Sequence, residues 1–64
     1  MILITRLDKR RVVVNADLIK MIESTPDTIL TLINGDTLIV RESVDEVVEK
    51  AIEYGRRLRG FQVV

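Results

Sequence analysis

The chain has neither cysteine nor histidine, and its 64 residues include one proline, three glycines and only two aromatic side chains, Tyr54 and Phe61. Without cysteine no disulfide bond can form, and without either residue the usual ligand sets for zinc, haem and iron–sulfur clusters are missing. We therefore expect no cofactor and no metal site. A chain this short buries only about 60% of the surface that its unfolded form exposes, so we expect it to gain stability as a homo-oligomer.

Charge of one sign is not in excess either, since ten Lys and Arg residues balance ten Asp and Glu residues. No net charge draws the chain to nucleic acid or to a membrane surface, so neither is expected as a partner. The longest apolar runs are about four residues, far short of the ~20 needed to span a bilayer. The N-terminus lacks the charged segment and the long apolar segment of a signal peptide. We expect a cytoplasmic protein without membrane insertion.

Residues suited to catalysis are scarce. Nucleophilic catalysis requires a serine, cysteine, threonine or lysine beside a base and an orienting group, and no histidine is present to act as the base. The two serines have structural explanations, Ser43 as a helix cap and Ser24 in a turn, and there is no glycine-rich phosphate loop. These patterns predict a binding protein and not an enzyme.

What the chain does have is β-forming sequence. Its β-branched and alternating residues predict strands over residues 2–5, 11–14, 18–23, 28–33 and 37–40. The segment 18–23 also fits a helical period, but we interpret it as a short turn followed by a strand, with Ile19 and Met21 on one face. Asn34 and Gly35 predict a hairpin with a type I′ turn, in which both central residues have positive φ.

A helix follows the strands. Ser43 and Glu46 have the spacing of a capping box, in which each side chain accepts a hydrogen bond from the backbone N–H of the other residue. An apolar stripe recurs at helical spacing and consists of Val44, Val47, Val48, Ala51, Ile52 and Leu58. Gly55 costs about 1 kcal/mol relative to alanine inside a helix, so the helix is expected to end near it or to continue weakly to Gly60.

Together these elements predict a single α+β domain over residues 1–64. It would have a small antiparallel sheet of about five strands, curled or barrel-like, followed by one C-terminal amphipathic helix. Both faces of the segment 28–33 carry apolar side chains, so one face is expected to pack on the helix and the other on a partner subunit. The residues from Gly60 onward form a tail that either frays or docks on a neighbouring molecule.

Several short motifs occur in a recognisable order: MILITRL at residues 1–7, VNADLI at 14–19, IESTPDT at 22–28, LING at 32–35 and VRESVDEV at 40–47. In this order and spacing the chain closely resembles the FlbD family, also called SwrD, over about residues 1–54, with 55–64 as a variable tail. The resemblance implies a short cytoplasmic bacterial protein that is linked to flagellar motility and associated with the stator genes of the motor. It further implies a role in raising flagellar power for swarming, through protein contacts.

The family provides no established binding residue to carry over, so the candidates for protein contact come from this sequence and are hypotheses. They are Glu23, Pro26 and Asp27 at one turn, and Arg41 and Glu42 at the entry to the helix. Alanine substitutions there that leave both fold and motility intact would remove them from consideration.

A second resemblance points to a different class of protein. Residues 2–6 and 40–42 are similar to the edge strands of the RNA-binding carbon-storage regulator CsrA, an intertwined β-dimer. This resemblance would place Thr5, Arg6 and Arg41 against RNA. The chain departs from that family at its short hairpin, where a longer loop with proline and lysine is found, and in its longer, more acidic helix. A third alternative is a scaffold whose only activity is self-assembly.

Overall fold

A computed structural model describes the backbone of residues 1–59 and the side chains of residues 1–57. Its elements are β1 (Ile2–Thr5), β2 (Arg11–Val14), a 3-10 turn (Ala16–Leu18), β3 (Ile19–Ser24), β4 (Thr28–Leu32), β5 (Thr37–Val40) and α1 (Val44–Arg59). The α+β class, the five strands and the helix that follows them agree with the sequence prediction.

The strands form two antiparallel sheets, so the prediction of one curled or barrel-like sheet is wrong. The first sheet pairs β1 with β2 and places Ile2 opposite Val14, and the second has the order β3-β4-β5. A single bridge between Arg6 and Val40 joins the two sheets. The pairing is short because the loop between β1 and β2 begins at Leu7, while β5 leads directly towards α1. Within the described residues β2 and β3 are edge strands, and no barrel closes.

The hydrophobic core lies between α1 and the inner faces of both sheets. Ile4 from β1, Leu30 from β4 and Val47 from α1 are fully buried and form its centre. Around them lie Ile2, Val12, Val14, Ala16, Ile19, Ile22, Leu32, Leu38, Val40 and Tyr54, each buried or partly buried. Burial of a large aliphatic side chain contributes about 1.5–3 kcal/mol, so the helix and the two sheets stabilise one another through this shared core.

Strand β3 confirms the predicted turn followed by a strand, but its faces differ from the prediction. The register of β3 against β4 shifts between Ile19 and Met21, which leaves Lys20 as the extra residue of a β-bulge. Ile19 and Ile22 pack against the core, whereas Met21 is 44% exposed. The predicted common face of Ile19 and Met21 is therefore wrong, because a bulge shifts the two-residue alternation of a strand by one position.

The β4–β5 hairpin is present, but its turn is not type I′. The Leu32 N–H donates to the Asp36 carbonyl at 2.8 Å, and the Gly35 N–H donates to the Leu32 carbonyl at 2.9 Å. Gly35 has a φ of 95°, whereas the φ of Asn34 is not positive. The connection is thus a three-residue loop that ends on one left-handed residue, the next most common hairpin geometry after the two-residue turns.

The β1–β2 hairpin repeats this geometry with a lysine in place of the glycine. The Arg6 N–H donates to the Arg10 carbonyl at 2.7 Å, the Lys9 N–H donates to the Arg6 carbonyl at 2.8 Å, and Lys9 has a φ of 76°. Asp8 stabilises the loop through an ion pair of 2.8 Å with the Arg10 side chain. A left-handed conformation costs a non-glycine residue roughly 1–2 kcal/mol, so Lys9 is a strained position.

The predicted capping box is present at the start of α1. The Glu46 N–H donates to the Ser43 hydroxyl oxygen at 3.1 Å, and the Ser43 N–H donates to the Glu46 carboxylate at 2.8 Å. The helix passes through Gly55 and extends to Arg59, which agrees with the longer of the two predicted helices. The prediction for the tail, residues 60–64, lies outside the described residues.

Substitution of the two left-handed residues should change stability in opposite directions. Gly35→Ala is expected to lower the free energy of unfolding by about 1 kcal/mol through backbone strain alone, because an added Cβ meets no atom within 4 Å. Lys9→Gly is expected to raise it by about 0.5 kcal/mol, since the greater freedom of glycine in the unfolded chain offsets part of the relief. Urea unfolding at one fixed protein concentration measures both changes. Shifts of the same sign would contradict this account of the two turns.

Candidate interaction surface

The strands turn one face towards α1 and the other towards solvent, and we call the solvent side, centred on Leu7, Ile29 and Ile39, the outer face. Ile29 and Ile39 are paired across β4 and β5, and they point outwards because their neighbours Leu30 and Val40 are buried. Leu7 lies beside Ile39, since its N–H donates to the Ile39 carbonyl at 3.0 Å. Leu7 and Ile39 are 47% and 43% exposed, so an apolar row spans both sheets.

Side chains of opposite charge lie next to this row. Thr28 is paired with Val40 at the end of the β4–β5 ladder, and Asp27 and Arg41 are the residues next to this last pair. The two side chains share an open cleft of about 320 Å³, which is lined by Leu7, Pro26, Asp27, Thr28, Val40 and Arg41. The ion pairs formed among the described residues involve other side chains, so the charges of Asp27 and Arg41 are available to a partner.

Two further charged side chains, one acidic and one basic, lie on the outer face. Glu23 is paired with Ile29 and lies at the β3 end of the apolar row. Arg11 is paired with Thr5, which lies beside Arg41 because the Arg41 N–H donates to the Thr5 carbonyl at 2.8 Å. Acidic side chains therefore lie towards β3 and β4, and basic side chains lie towards β2 and β5.

The structure brings four of the five predicted contact residues together on this surface, namely Glu23, Pro26, Asp27 and Arg41, all of them exposed. The peptide bond before Pro26 is cis. Their role in protein contact stays a prediction. The apolar row between them was predicted only in part, because Leu7 belongs to no predicted strand. The available signal was the apolar pattern on both faces of the segment 28–33.

Glu42, the fifth predicted contact residue, is turned towards β1 and connects the two sheets. Both oxygens of its carboxylate lie 3.0 Å from the Thr5 nitrogen and accept its N–H. Burial alone would raise the pKa of Glu42. Hydrogen bonds from the backbone N–H groups of Thr5 and Glu42 and from the Thr5 side chain, with attraction to Lys50, outweigh burial and hold the pKa below its ordinary value. Glu42 thus has a structural role, and its contact with a partner stays a prediction.

The three residues that the RNA-binding alternative requires do not share one face. Thr5 and Arg41 are neighbours on the outer face. Arg6 alternates with Thr5 along the strand and is paired with the buried Val40, so it projects from the opposite side. Asp27 shares the cleft of Arg41, where its carboxylate would repel a phosphate group.

A second concave surface lies between the start of β1 and α1, on the helix side of the molecule. It is an open groove of about 540 Å³, lined by Met1, Ile2, Leu3, Glu46, Glu49, Lys50, Glu53, Tyr54 and Arg57. Its acidic wall is partly paired within the helix, since Glu53 lies 3.8 Å from Arg56 and 3.7 Å from Arg57. The groove therefore offers an apolar floor and a wall of mixed charge.

Neither surface carries a catalytic arrangement among the described residues. The Ser43 hydroxyl caps α1, Ser24 is exposed at the end of β3, and the chain has no histidine to serve as a base. Within the described part of the chain, no helix is long and apolar enough to cross a membrane. An apolar centre surrounded by charges of both signs has the composition of a protein contact surface.

Fold and surface together define a small α+β protein whose described residues form exposed apolar and charged surfaces and no catalytic arrangement. The model of the FlbD family, described as flagellar and swarming motility proteins, matches residues 1–59, so the chain belongs to this family. The resemblance is thereby confirmed, and the match continues beyond the motifs to the end of α1. Comparisons with curated proteins and with solved structures gave no match.

The hydrogen bond from the Thr5 N–H to the Glu42 carboxylate, which we call the Glu42 clamp, predicts a particular pH dependence of the free energy of unfolding. Because the pKa of Glu42 is lower in the folded state than in the unfolded chain, its stabilisation is complete above the unfolded-state pKa. The stabilisation is lost as the pH falls through the folded-state pKa. Glu42→Gln, which keeps the shape but removes the charge, is expected to lower the free energy of unfolding by about 1 kcal/mol near neutral pH. This difference from the wild type should disappear in strong acid.

Urea unfolding over a series of pH values measures this effect. Glu49→Gln is the matched control, because Glu49 is an exposed glutamate of α1, and its difference from the wild type should not depend on the clamp. A difference between Glu42→Gln and the wild type that stays constant at every pH would show that the charge of Glu42 is not what holds Thr5.

Proposed function

We propose that this protein is a non-enzymatic accessory of the flagellar motor that acts in the cytoplasm and raises motor power for swarming through contacts with stator components. Membership of the FlbD family supports the link to motility. The observation that carries the mode of action is the outer face, where an apolar row through Leu7, Ile39 and Ile29 lies among charges of both signs. Surfaces of this kind bind proteins by burying their centre.

The apolar row and the charges have different parts in such a contact. Covering a half-exposed side chain such as Leu7 or Ile39 contributes on the order of 1 kcal/mol. Exposed ion pairs contribute about 0–1 kcal/mol and mainly orient the partner. We therefore assign the affinity to the apolar row and the choice of partner to the charged residues Glu23, Asp27 and Arg41.

The proposal includes two kinds of partner, a further copy of the chain and a motor component. The outer face lies on the sheet side and the groove with Tyr54 lies on the helix side, so one partner need not displace the other. A chain with two such surfaces can attach an oligomer to a larger assembly. This arrangement supports an accessory role and requires no chemistry from the chain.

Ile39→Glu is expected to impair motility without unfolding the chain, because it places a charge at the exposed centre of the outer face. Rotation of tethered cells measures the torque, with flagella counted in the same cells. We expect the torque to fall towards that of cells lacking the gene, at unchanged flagellar number. Ile33→Glu makes the same change at a 62% exposed residue of the β4–β5 turn and should leave the torque intact.

Two results would count against the proposal. Equal torque in the wild type, Ile39→Glu and Ile33→Glu would remove the outer face from it. If deletion of the gene leaves torque unchanged and alters flagellar number or flagellin transcript, action at the motor is wrong. The RNA-binding alternative through Thr5, Arg6 and Arg41 would then take first place. Circular dichroism of the purified Ile39→Glu protein checks that the fold is retained.

A further inference from the structure

The two central strands of the outer face carry a pattern that is complementary to itself. Strand β5 presents Ile39 and is followed by Arg41, while β4 presents Ile29, the partner of Ile39, and is preceded by Asp27, which lines the same cleft as Arg41. From this pattern we infer that two copies of the chain pack outer face to outer face, about a two-fold axis parallel to the strands and between β4 and β5. Such an axis exchanges the two strands, so β5 of each copy lies over β4 of the other.

This geometry matches the contacts at the centre of the interface. Ile39 of one copy lies on Ile29 of the other, and Arg41 lies on Asp27, and each contact occurs twice because a two-fold interface repeats itself. Packed sheets are about 10 Å apart, a separation that facing side chains fill. A two-fold axis over β5 would instead bring Arg41 of one copy onto Arg41 of the other. Because like charges repel and opposite charges attract, the charges favour the axis between β4 and β5.

The surface is exposed and has no covering layer among the described residues of its own chain. Asp27 and Arg41 are exposed, and the ion pairs among the described residues involve other side chains. Leu7, Met21 and Ile39 are each more than two-fifths exposed on this face, and in the described part of the chain more large apolar side chains are exposed than buried. A domain with so small a core gains stability from a second copy that covers this face.

The inference deepens the proposed function, because it assigns the further copy of the chain to the outer face, and its test requires no motor component. Pairing of outer faces covers Glu23, Asp27 and Arg41, which are three of the predicted contact residues. It leaves the groove beside α1 open on each copy. The dimer therefore presents the same groove twice, and a motor component can bind there without separating the two copies.

Charge reversal followed by mixing tests the pairing. In Asp27→Arg the two-fold contact brings Arg41 onto an arginine, and in Arg41→Asp it brings Asp27 onto an aspartate. For each purified variant we expect a dimer dissociation constant at least about tenfold above that of the wild type by sedimentation equilibrium. An equimolar mixture of the two variants restores both opposite-charge contacts in the heterodimer. Its dissociation constant is expected to return close to the wild-type value.

Mixing separates a contact between copies from a contact within one chain. A contact between Asp27 and Arg41 of the same chain would be restored only in the double variant D27R/R41D and not by mixing. Asp17→Arg reverses an exposed charge in the 3-10 turn, outside the outer face, and should leave the dissociation constant unchanged. Ile39→Glu is also expected to weaken the dimer, because it places a charge at the apolar centre of the interface and leaves Asp27 and Arg41 unchanged.

Three results overturn the inference: a wild-type chain that is monomeric at all concentrations, reversals that leave the dissociation constant unchanged, and a mixture no tighter than its separate components. Circular dichroism checks the fold of each variant. If a reversed chain does not fold, Ile39→Glu decides the question, since an unchanged dissociation constant in that variant also overturns the pairing. Failure of the dimer removes the further copy of the chain as a partner but leaves the proposed contact with a motor component standing. A dimer weakened by Ile39→Glu in cells with normal torque supports the pairing and counts against the function.

Discussion

One side-chain contact, the carboxylate of Glu42 on the backbone N–H of Thr5, reinforces the short junction between the two sheets on which the outer face depends. Strands β1 and β5 share only the bridge between Arg6 and Val40, and so short a pairing constrains their orientation weakly. The clamp adds a hydrogen bond to an ionised acceptor at 3.0 Å, beside that bridge, and such bonds are stronger than those between neutral groups. It holds the β1–β2 hairpin where Ile4 enters the shared core.

The outer face is a consequence of the same junction. By joining the sheets it brings Leu7 beside Ile39 and Thr5 beside Arg41, so that two sheets with almost no shared pairing present one continuous surface. In the described chain α1 is the one helix available to cover the strands, and it packs on their inner faces. The apolar side chains on the second face of β4 and β5 therefore have no covering layer among the residues that the structure describes. Stable folds commonly bury such a face against another element, and this exposed face is the basis of the proposed pairing of two copies.

Local signals in the sequence predicted local structure. The capping box at residues 43–46 and the hairpin at 34–35 are each encoded by a few neighbouring residues, and the structure has both. The β-bulge at Lys20 and the left-handed Lys9 were not predictable, because neither residue type favours its conformation. The junction of the sheets joins residues 37 positions apart, and no local pattern carries that information. The charged and turn residues of the outer face were predicted because their own local sequence indicates a turn. Leu7 was not predicted, because it joins the outer face only through the long-range junction of the two sheets.

Equal numbers of acidic and basic residues do not mean that the charges are evenly distributed over the folded chain. A net charge of zero describes only the average, because folding can segregate charges on one surface. Here Asp27 and Arg41 are neighbours, with Glu23 and Arg11 further out on the acidic and basic sides. A polyanion on this face would meet a repulsive group beside each attractive one, whereas a protein surface with the complementary order would be attracted at both. The selectivity of the outer face therefore depends on the order of its charges and not on their sum.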